Sequence, residues 1–232
     1  MLVLCNGMPR SASTWSFNVV VKLLRACAVG EVHGGYDENV GRFLKNSPAC
    51  ARHLVLKYHN EDPVGSRLVQ AGAARAIYTR RDPADATVSF MTMFGVDFGR
   101  AVAVIADSLR MYRTMADLGQ VLALDYAAIM NDPPAAVRHI ANHLELPVPS
   151  EILAEVAAAT GLAATRLKVE ELGAIDAGHR LIRRGPSAYD PGTLLNIDHI
   201  RDAGIGYGAR VLSDAQLQQL HELCHGAGDI GG

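Results

Sequence analysis

The sequence lacks a strong excess of charge of either sign. Its 22 Lys and Arg residues nearly balance 24 Asp and Glu residues, which leaves a formal net charge of −2. Proteins that bind nucleic acid over a broad surface usually carry a marked positive charge. We therefore expect no nucleic-acid partner, and any site for an anion must be local.

Cysteine is also scarce, and its spacing excludes further classes of protein. Cys5, Cys27, Cys50 and Cys224 lie too far apart to indicate a zinc knuckle or a redox pair, so we expect free thiols and no metal. The first residues lack the basic head, long apolar stretch and cleavage site of a signal peptide. No apolar run is long enough to cross a bilayer. These absences predict a cytoplasmic protein without a membrane span.

What the sequence contains is an alternation of short apolar runs and helical patterns. Its 49% apolar and 20% charged residues suit a globular chain, and 232 residues suit a single domain over 1–232. The runs predict strands at 2–5, 54–59, 76–79 and 121–124, and the patterns predict helices at 14–28, 62–72, 98–118, 133–144, 150–159 and from Pro83. The stretch 31–52 is predicted to be loop with one short helix. This order predicts an α/β fold, a central parallel sheet with helices on both faces.

Ligands of such sheets bind beyond the carboxyl ends of the strands, where the loop from Gly7 to Thr14 follows the first strand. It has the length and position of a phosphate-binding loop, but Ala12 replaces the second glycine and Ser13 stands where nucleoside triphosphatases have lysine. Backbone N–H groups, hydroxyls and the Arg10 guanidinium still favour an anion. The alternative is an ordinary connection in which Ser13 or Thr14 caps the helix.

Lys57 and His59 follow the second strand and, in extended backbone, share one face. A cation beside an imidazole suits a group-transfer reaction in which one stabilises charge and the other accepts a proton. The alternative is a surface lysine and a hydrogen-bonded histidine. His33 and His53 compete for the role of base, but neither has a lysine two residues away on the same strand.

Arg81 and Ser89 follow the third strand and lie about two helical turns apart. An arginine and a hydroxyl that face the same space can hold a phosphate together. Alternatively, Arg81 forms a surface ion pair with Asp85 and Ser89 is only a tolerated helix serine. Arg80 competes with Arg81 for the binding role.

These strand ends together resemble the sulfotransferases that use 3′-phosphoadenosine 5′-phosphosulfate (PAPS). The segment from Pro9 to Trp15 is similar to their 5′-phosphosulfate loop, and Leu56-Lys57-Tyr58-His59 resembles their Lys-x-His strand end. The spacing of Arg81 and Ser89 resembles their 3′-phosphate motif, and Asp125-Tyr126 resembles their Tyr-Glu-Asp segment. The matches span residues 1 to about 145 in the family's order.

The resemblance implies a P-loop NTPase-like sulfotransferase fold and sulfuryl transfer from PAPS to a hydroxyl or amine. It implies that His59 is the general base and that Lys57 and Arg10 stabilise developing charge, with no metal. The residues it assigns to the cofactor are Arg10, Ser11, Ala12, Ser13, Thr14, Trp15, Arg81, Ser89, Tyr126 and Arg201.

The C-terminal Arg-Lys-Gly-x-x-Gly motif of the family is not intact in this sequence. Arg183-Arg184-Gly185 and the segment from Arg201 to Gly206 both resemble it, and we favour the second because Leu212-Ser213 follows. Which of these arginines contacts the cofactor stays open.

Two other functions stay open: a non-catalytic nucleotide-binding module and a divergent P-loop kinase. The Lys57–His59 pair argues against the first, and the missing loop lysine argues against the second. The acceptor, a small molecule or a lipid or carbohydrate, is expected near the poorly patterned stretches 32–52, 91–100 and 165–196, which we expect to be loops above the strand ends. An apolar cluster is either its wall or helix core; the members are Phe90, Met91, Met93, Phe94 and Phe98.

Overall fold

A five-stranded parallel sheet forms the centre of the fold in this computed structural model, which describes residues 1–27, 30–174, 181–184, 187–197 and 204–225. The strand order is β2-β3-β1-β4-β5, and every neighbouring pair runs parallel. The strands are β1 (Leu2–Gly7), β2 (Glu31–Tyr36), β3 (Ala51–Lys57), β4 (Arg75–Arg80) and β5 (Val121–Asp125). The carboxyl ends of β1, β3 and β4 therefore lie side by side.

Helices cover both faces of this sheet. Along β1, the side chains of Val3 and Cys5 pack into one hydrophobic cluster and that of Leu4 into another, as the alternation of a strand requires. The first cluster includes Phe17 of the first helix, and the second includes Met111 of a later one. The predicted parallel sheet with helices on both faces is confirmed.

The six helices with predicted starts begin within one residue of those positions, and the other helices have no predicted bounds. Their bounds are α1 (Ser13–Cys27), α2 (Val40–Asn46), α3 (Pro63–Gln70), α4 (Pro83–Phe94), α5 (Phe98–Ala116), α6 (Tyr126–Asn131), α7 (Pro133–His143), α8 (Ser150–Thr160), α9 (Leu162–Ala174), α10 (Gly208–Val211) and α11 (Asp214–His225). Asp82 caps α4 by accepting a hydrogen bond from the backbone N–H of Asp85 at 2.9 Å. Asp62 caps α3 in the same way, through Val64 and Gly65.

The prediction of loop over 31–52 is wrong at both ends, because β3 already begins at Ala51 and β2 occupies Glu31–Tyr36. Its sequence contains Gly34-Gly35, which is unfavourable in a strand on propensity alone. Packing explains the pair, since a Cβ on Gly34 would lie 2.9 Å from Phe17 Cζ and one on Gly35 3.2 Å from Phe43 Cε2. The rings occupy the space that side chains of β2 would fill.

The second half of the chain also holds more regular structure than the sequence predicts. The stretch 165–196, expected to be loop, contains most of α9 and the antiparallel pair β6 (Ile182–Arg184) and β7 (Ser187–Tyr189). The stretch 91–100 contains the end of α4 and the start of α5, with the left-handed Gly95 between them. Among the described residues, no helix is both long and apolar enough to span a membrane.

Candidate active site

A cavity of about 750 Å³ opens at the carboxyl ends of β1, β3 and β4. It brings together residues that the sequence analysis drew from four separate segments. The predicted site residues that line it are Arg10, Ala12, Ser13, Thr14, Trp15, Lys57, His59, Arg81, Ser89 and Tyr126. This convergence makes the cavity the candidate active site.

The loop between β1 and α1 has the backbone shape of an anion cradle. Arg10 and Ala12 both adopt left-handed backbone, with φ of 69° and 75°. Alternation of left-handed and right-handed residues turns successive N–H groups toward one concave side, and this loop leads into the N-terminus of α1. Position 12 would suit glycine better, because a Cβ is strained at positive φ.

Ser11 is the one predicted loop residue that does not line the cavity. Its hydroxyl is fully buried, 2.6 Å from the carbonyl oxygen of Met8 and 2.8 Å from that of Thr79. The side chain therefore joins the loop to the end of β4 instead of facing a ligand. Its contribution to an anion site is confined to the backbone and to the shape of the loop.

Lys57 and His59 lie side by side, as their spacing predicts. Lys57 Nζ lies 2.8 Å from His59 Nε2, and His59 Nδ1 lies 2.9 Å from the carbonyl oxygen of Gly7. Because that carbonyl can only accept, Nδ1 carries the proton and Nε2 holds the lone pair that accepts from Lys57. The backbone of β1 thus fixes the tautomer that a base acting through Nε2 requires.

Burial sets the charge of both groups. It lowers the pKa of His59 to about 3, with the Lys57 ammonium as the second cause, so the imidazole is neutral at pH 7. Burial also lowers the pKa of Lys57 to about 8, although the Glu38 carboxylate acts in the opposite direction. At neutral pH the pair therefore consists of an ammonium and a neutral imidazole.

Glu38 and Tyr36 belong to the site although the sequence analysis did not find them. The Glu38 carboxylate accepts hydrogen bonds from the backbone N–H groups of His59 and Asn60, both at 3.0 Å, and from the Tyr36 hydroxyl. The Tyr36 ring lies 5.2 Å from Lys57 Nζ. Both residues come from the missed strand β2 and the turn after it, so their only signal was the unassigned stretch 31–52.

Arg10 reaches the predicted phosphate motif after β4. Its Nε donates a hydrogen bond to Ser89 Oγ at 3.0 Å, and its carbonyl oxygen accepts one from Arg81 Nη1 at 3.4 Å. Arg81 is only 8% exposed, and its guanidinium lies 4.2 Å from the centre of the Tyr126 ring. Two guanidinium groups and a hydroxyl thus surround one part of the cavity.

The two alternatives for this motif differ from what the structure shows. Arg81 does pair with Asp85, at 3.7 Å, but both side chains are buried, so the pair is not a surface one. Arg80 does not line the cavity, since its guanidinium binds Asp125 at 2.7 Å and stacks on Tyr112. Arg81 is therefore better placed than Arg80 to bind a ligand.

The apolar cluster divides between the two roles that the sequence left open. Phe90 and Phe94 line the cavity with their ring centres 4.5 Å apart and their planes tilted by 44°, whereas Phe98 packs against the core around Val102. Phe94 is 54% exposed, and the exposed ion pair of Asp107 and Arg110 on α5 completes this rim. Met91 and Met93 do not line the cavity, and neither do His33 and His53.

The opposite end of the cavity is polar. Asn18 donates hydrogen bonds to the carbonyl oxygens of Thr14 and Thr193, at 2.8 and 2.7 Å. Burial lowers the pKa of Lys22, with the nearby Lys168 ammonium as the second cause. These residues lie on α1, α9 and the segment after β7, where no sequence motif indicated a site.

The C-terminal arginines cannot be placed against this cavity. Arg201 lies outside the described residues, as do the side chains of Arg183 and Arg184 in β6. Within the described part of the chain, no three His, Cys, Asp or Glu side chains group in a way that could hold a metal ion.

The fold and the cavity define an α/β protein with a P-loop-like loop at the carboxyl edge of its sheet. Residues 71–150 match the model of the sulfotransferase family, a segment that contains Arg81, Ser89 and Tyr126. The sequence matches none of the curated proteins.

Solved structures with the same fold are sulfotransferases and a retinol dehydratase. Mouse sulfotransferase SULT7A1 complexed with PAP aligns with a TM-score of 0.71 and 16% identity, over 99% of this chain and 85% of that one. Retinol dehydratase in a complex with retinol and PAP aligns with a TM-score of 0.69 and 11% identity, over 99% of this chain and 81% of that one. Retinol dehydratase in complex with androsterone and inactive cofactor PAP aligns with a TM-score of 0.67 and 12% identity, again over 99% of this chain and 81% of that one. The predicted fold and the resemblance to the sulfotransferase family are confirmed.

Proposed function

We propose that this chain is a PAPS-dependent sulfotransferase that transfers a sulfuryl group to a hydroxyl or amine, with residues 1–232 as one domain. The observation that carries the proposal is the Lys57–His59 pair, 2.8 Å apart, in one cavity with the loop after β1 and with Arg81 and Ser89. PAPS supplies the sulfuryl group and leaves as the 3′,5′-bisphosphate (PAP), the compound in the neighbouring structures.

The residues of the cavity fit a nucleotide with two phosphates. The loop over residues 9–14 presents backbone N–H groups at the start of α1, which suits the 5′-phosphosulfate. Arg81 and Ser89, with Arg10 between them, suit the 3′-phosphate, because charge-assisted hydrogen bonds from guanidinium are strong and directional. The aromatic side chains of Trp15 and Tyr126 line the same cavity.

His59 is the general base in this proposal. It is neutral at pH 7, and the Gly7 carbonyl holds its proton on Nδ1, so Nε2 is the atom that takes the acceptor's proton. Nε2 now accepts from Lys57. Transfer requires Lys57 to donate to the sulfonate instead, which frees Nε2 at the moment when the acceptor hydroxyl loses its proton.

Lys57 and Arg10 stabilise the charge that develops during transfer. The Lys57 ammonium is held in a buried position, where its interaction with an anion is stronger than in water. Arg10 keeps its charge at any relevant pH, so it acts through electrostatics and not as a proton donor. Two cations suffice because sulfuryl carries less charge than phosphoryl.

The two alternative functions have less support. A nucleotide-binding module has no use for a neutral imidazole fixed in one tautomer beside an ammonium. A kinase needs a lysine in the loop for the β- and γ-phosphates, and Ser13 stands at that position at the start of α1.

The acceptor is a small molecule in this proposal. The cavity's rim combines the contacting rings of Phe90 and Phe94 with the charged pair of Asp107 and Arg110, which suits an amphipathic alcohol, phenol or amine. The related retinol dehydratase structures hold retinol and androsterone, which are small molecules. A screen of hydroxylated acceptors with labelled PAPS identifies the class.

The donor site is tested first by calorimetry with PAP, 5′-AMP and ATP. PAP is expected to bind at least roughly tenfold more tightly than 5′-AMP, because it alone fills both anion sites. Arg81→Ala should remove most of that preference. Equal affinity of the wild-type protein for PAP and 5′-AMP contradicts the two-site arrangement.

The base is tested by His59→Asn, with His33→Asn as the matched control. Loss of the base should slow transfer by roughly a hundredfold to ten-thousandfold while PAP still binds. His33 stacks on Phe43 away from the cavity, so its substitution should leave the rate near that of the wild type. The reverse pattern would show that His59 is not the base.

A further inference from the structure

Asp85 is a buried carboxylate next to the cationic part of the cavity, and the proposed reaction gives it no role. It lies in the first turn of α4, exposes 2% of its surface and places Oδ2 3.7 Å from Arg81 Nη2. A carboxylate at this distance competes with a phosphate for the same guanidinium. A phosphate site would work better without it unless something offsets its charge.

Two backbone N–H groups from a distant part of the chain bind this carboxylate. Gly206 donates to Oδ2 at 2.9 Å and Gly208 donates to Oδ1 at 2.7 Å. Both belong to residues 204–212, which we name the docking segment. Hydrogen bonds donated to a carboxylate partly offset its negative charge, so the docked segment weakens the attraction between Asp85 and Arg81.

The docking segment approaches α4 so closely that a side chain at position 208 would not fit. A Cβ on Gly208 would lie 2.2 Å from the carbonyl carbon of Ala84 and 2.5 Å from the backbone nitrogen of Asp85. These atoms are backbone and cannot move aside independently. A Cβ on Gly204, by contrast, would meet no atom of the described residues within 4 Å, and Gly204 has no positive φ.

Two further neighbours hold the Arg81 guanidinium at the cavity while the Asp85 carboxylate binds the docking segment. The Tyr126 ring covers one face at 4.2 Å, and the Arg10 carbonyl accepts from Nη1 at 3.4 Å. Neither neighbour carries a full negative charge as Asp85 does. The charge balance at Arg81 therefore depends on whether the docking segment is in place.

We propose that Asp85 is a positioning residue that couples the docking segment to the 3′-phosphate site. With Gly206 and Gly208 donating to its carboxylate, Arg81 is available to the 3′-phosphate. With the segment displaced, Asp85 takes Arg81 into a tighter ion pair and affinity for the 3′-phosphate falls. This inference rests on the proposed function, because it takes Arg81 as the residue that binds the 3′-phosphate.

Gly208→Ala tests the first half of the inference, because the added methyl group displaces the docking segment. PAP affinity, measured by calorimetry, should fall roughly tenfold, while 5′-AMP affinity stays unchanged because it has no 3′-phosphate. Gly204→Ala is the matched control and should bind both ligands like the wild-type protein. If Gly208→Ala does not fold, Gly206→Ala replaces it, since its φ of +77° disfavours alanine without a steric clash.

Asp85→Asn, added to Gly208→Ala, tests the second half. A neutral amide does not compete for Arg81, so the double variant should recover most of the lost PAP affinity. A merely structural role of Asp85 predicts a double variant as weak as Gly208→Ala or weaker, and that result overturns the inference. If the wild-type protein prefers PAP and only the recovery fails, the proposed function stands; if the wild type shows no preference, the proposed function fails.

Discussion

Lys57 should set the alkaline limit of the reaction. Burial lowers the pKa of its ammonium from 10.5 to about 8, despite the opposing effect of Glu38. By that value about nine in ten molecules carry the charge at pH 7 and about one in ten at pH 9. Since only the ammonium stabilises the sulfonate, kcat/KM for PAPS should fall about tenfold between these pH values.

The acid side of the profile should be flat, because the other member of the pair does not titrate there. The pKa of His59 is lowered to about 3, chiefly by burial. Since pH 5 lies about two units above that pKa, the imidazole stays in its basic form from pH 5 upward. A typical exposed histidine would instead give a loss of activity near pH 6.5. The absence of that limb distinguishes a buried, lysine-paired base from an ordinary one.

The assay is the initial rate of transfer from labelled PAPS between pH 5 and 10 at constant ionic strength. The dependence of kcat/KM on pH reports groups of the free enzyme, which is the state the structure describes. Lys57→Arg is the control, because guanidinium keeps its charge and the alkaline limb should disappear even if the rate is lower. A wild-type profile that stays level to pH 10, or an identical alkaline fall in Lys57→Arg, would refute the reasoning.

Stability should respond to pH in the opposite sense. The folded pKa of Lys57, about 8, lies below its unfolded value of 10.5, so the folded state binds fewer protons between these values. The contribution of Lys57 to the free energy of unfolding therefore rises with pH across that window, while activity falls. Urea unfolding at pH 8 and pH 10, compared between the wild type and Lys57→Met, measures it; a smaller rise in the wild type would contradict the pKa.

Substitutions at three positions address the loop and the support of the base. Glu38→Gln keeps the shape but weakens the hydrogen bonds to the backbone of His59, so kcat should fall roughly tenfold with PAP affinity nearly unchanged, and an unchanged kcat would remove Glu38 from the site. Arg10→Lys should retain substantial activity, whereas Arg10→Ala should lose kcat more than PAP affinity. Steady-state kinetics and calorimetry measure these two effects. Equal kcat in the two variants would exclude a catalytic role for the charge of Arg10. Ala12→Gly relieves a left-handed alanine and should raise the free energy of unfolding by up to about 1 kcal/mol, and a drop in Tm would count against strain at φ 75°.

The central strands could be predicted because their sequences and their surroundings agree. The apolar runs of β1 and β4 and the end of β3 are buried on both faces, so continuous hydrophobicity is their main signal. β5 lies at the edge of the sheet and is partly exposed, but its run of apolar residues gives the same signal. β2 could not be found in this way. Its glycines are selected by the rings of Phe17 and Phe43, which come from other elements and which local propensity does not register.

The candidate site likewise contains residues that the sequence could predict and residues that it could not. Lys57 and His59 are near neighbours in sequence, so the period of a strand was sufficient to pair them. Glu38 depends on the missed β2, and the hydrogen bonds that Asp85 accepts from Gly206 and Gly208 span more than 120 residues. Interactions at that separation follow from how the helices and strands pack, and no local pattern encodes them.

The rim of the cavity has a consequence for how the substrate range can change. The proposed nucleotide side rests on loops at the ends of the three central strands. Phe94, Asp107 and Arg110 stand on the outer sides of α4 and α5 and are largely exposed. Substitutions at such positions usually alter folding stability by less than about 0.5 kcal/mol. A combinatorial library confined to these positions can therefore sample new acceptors while the donor half stays intact.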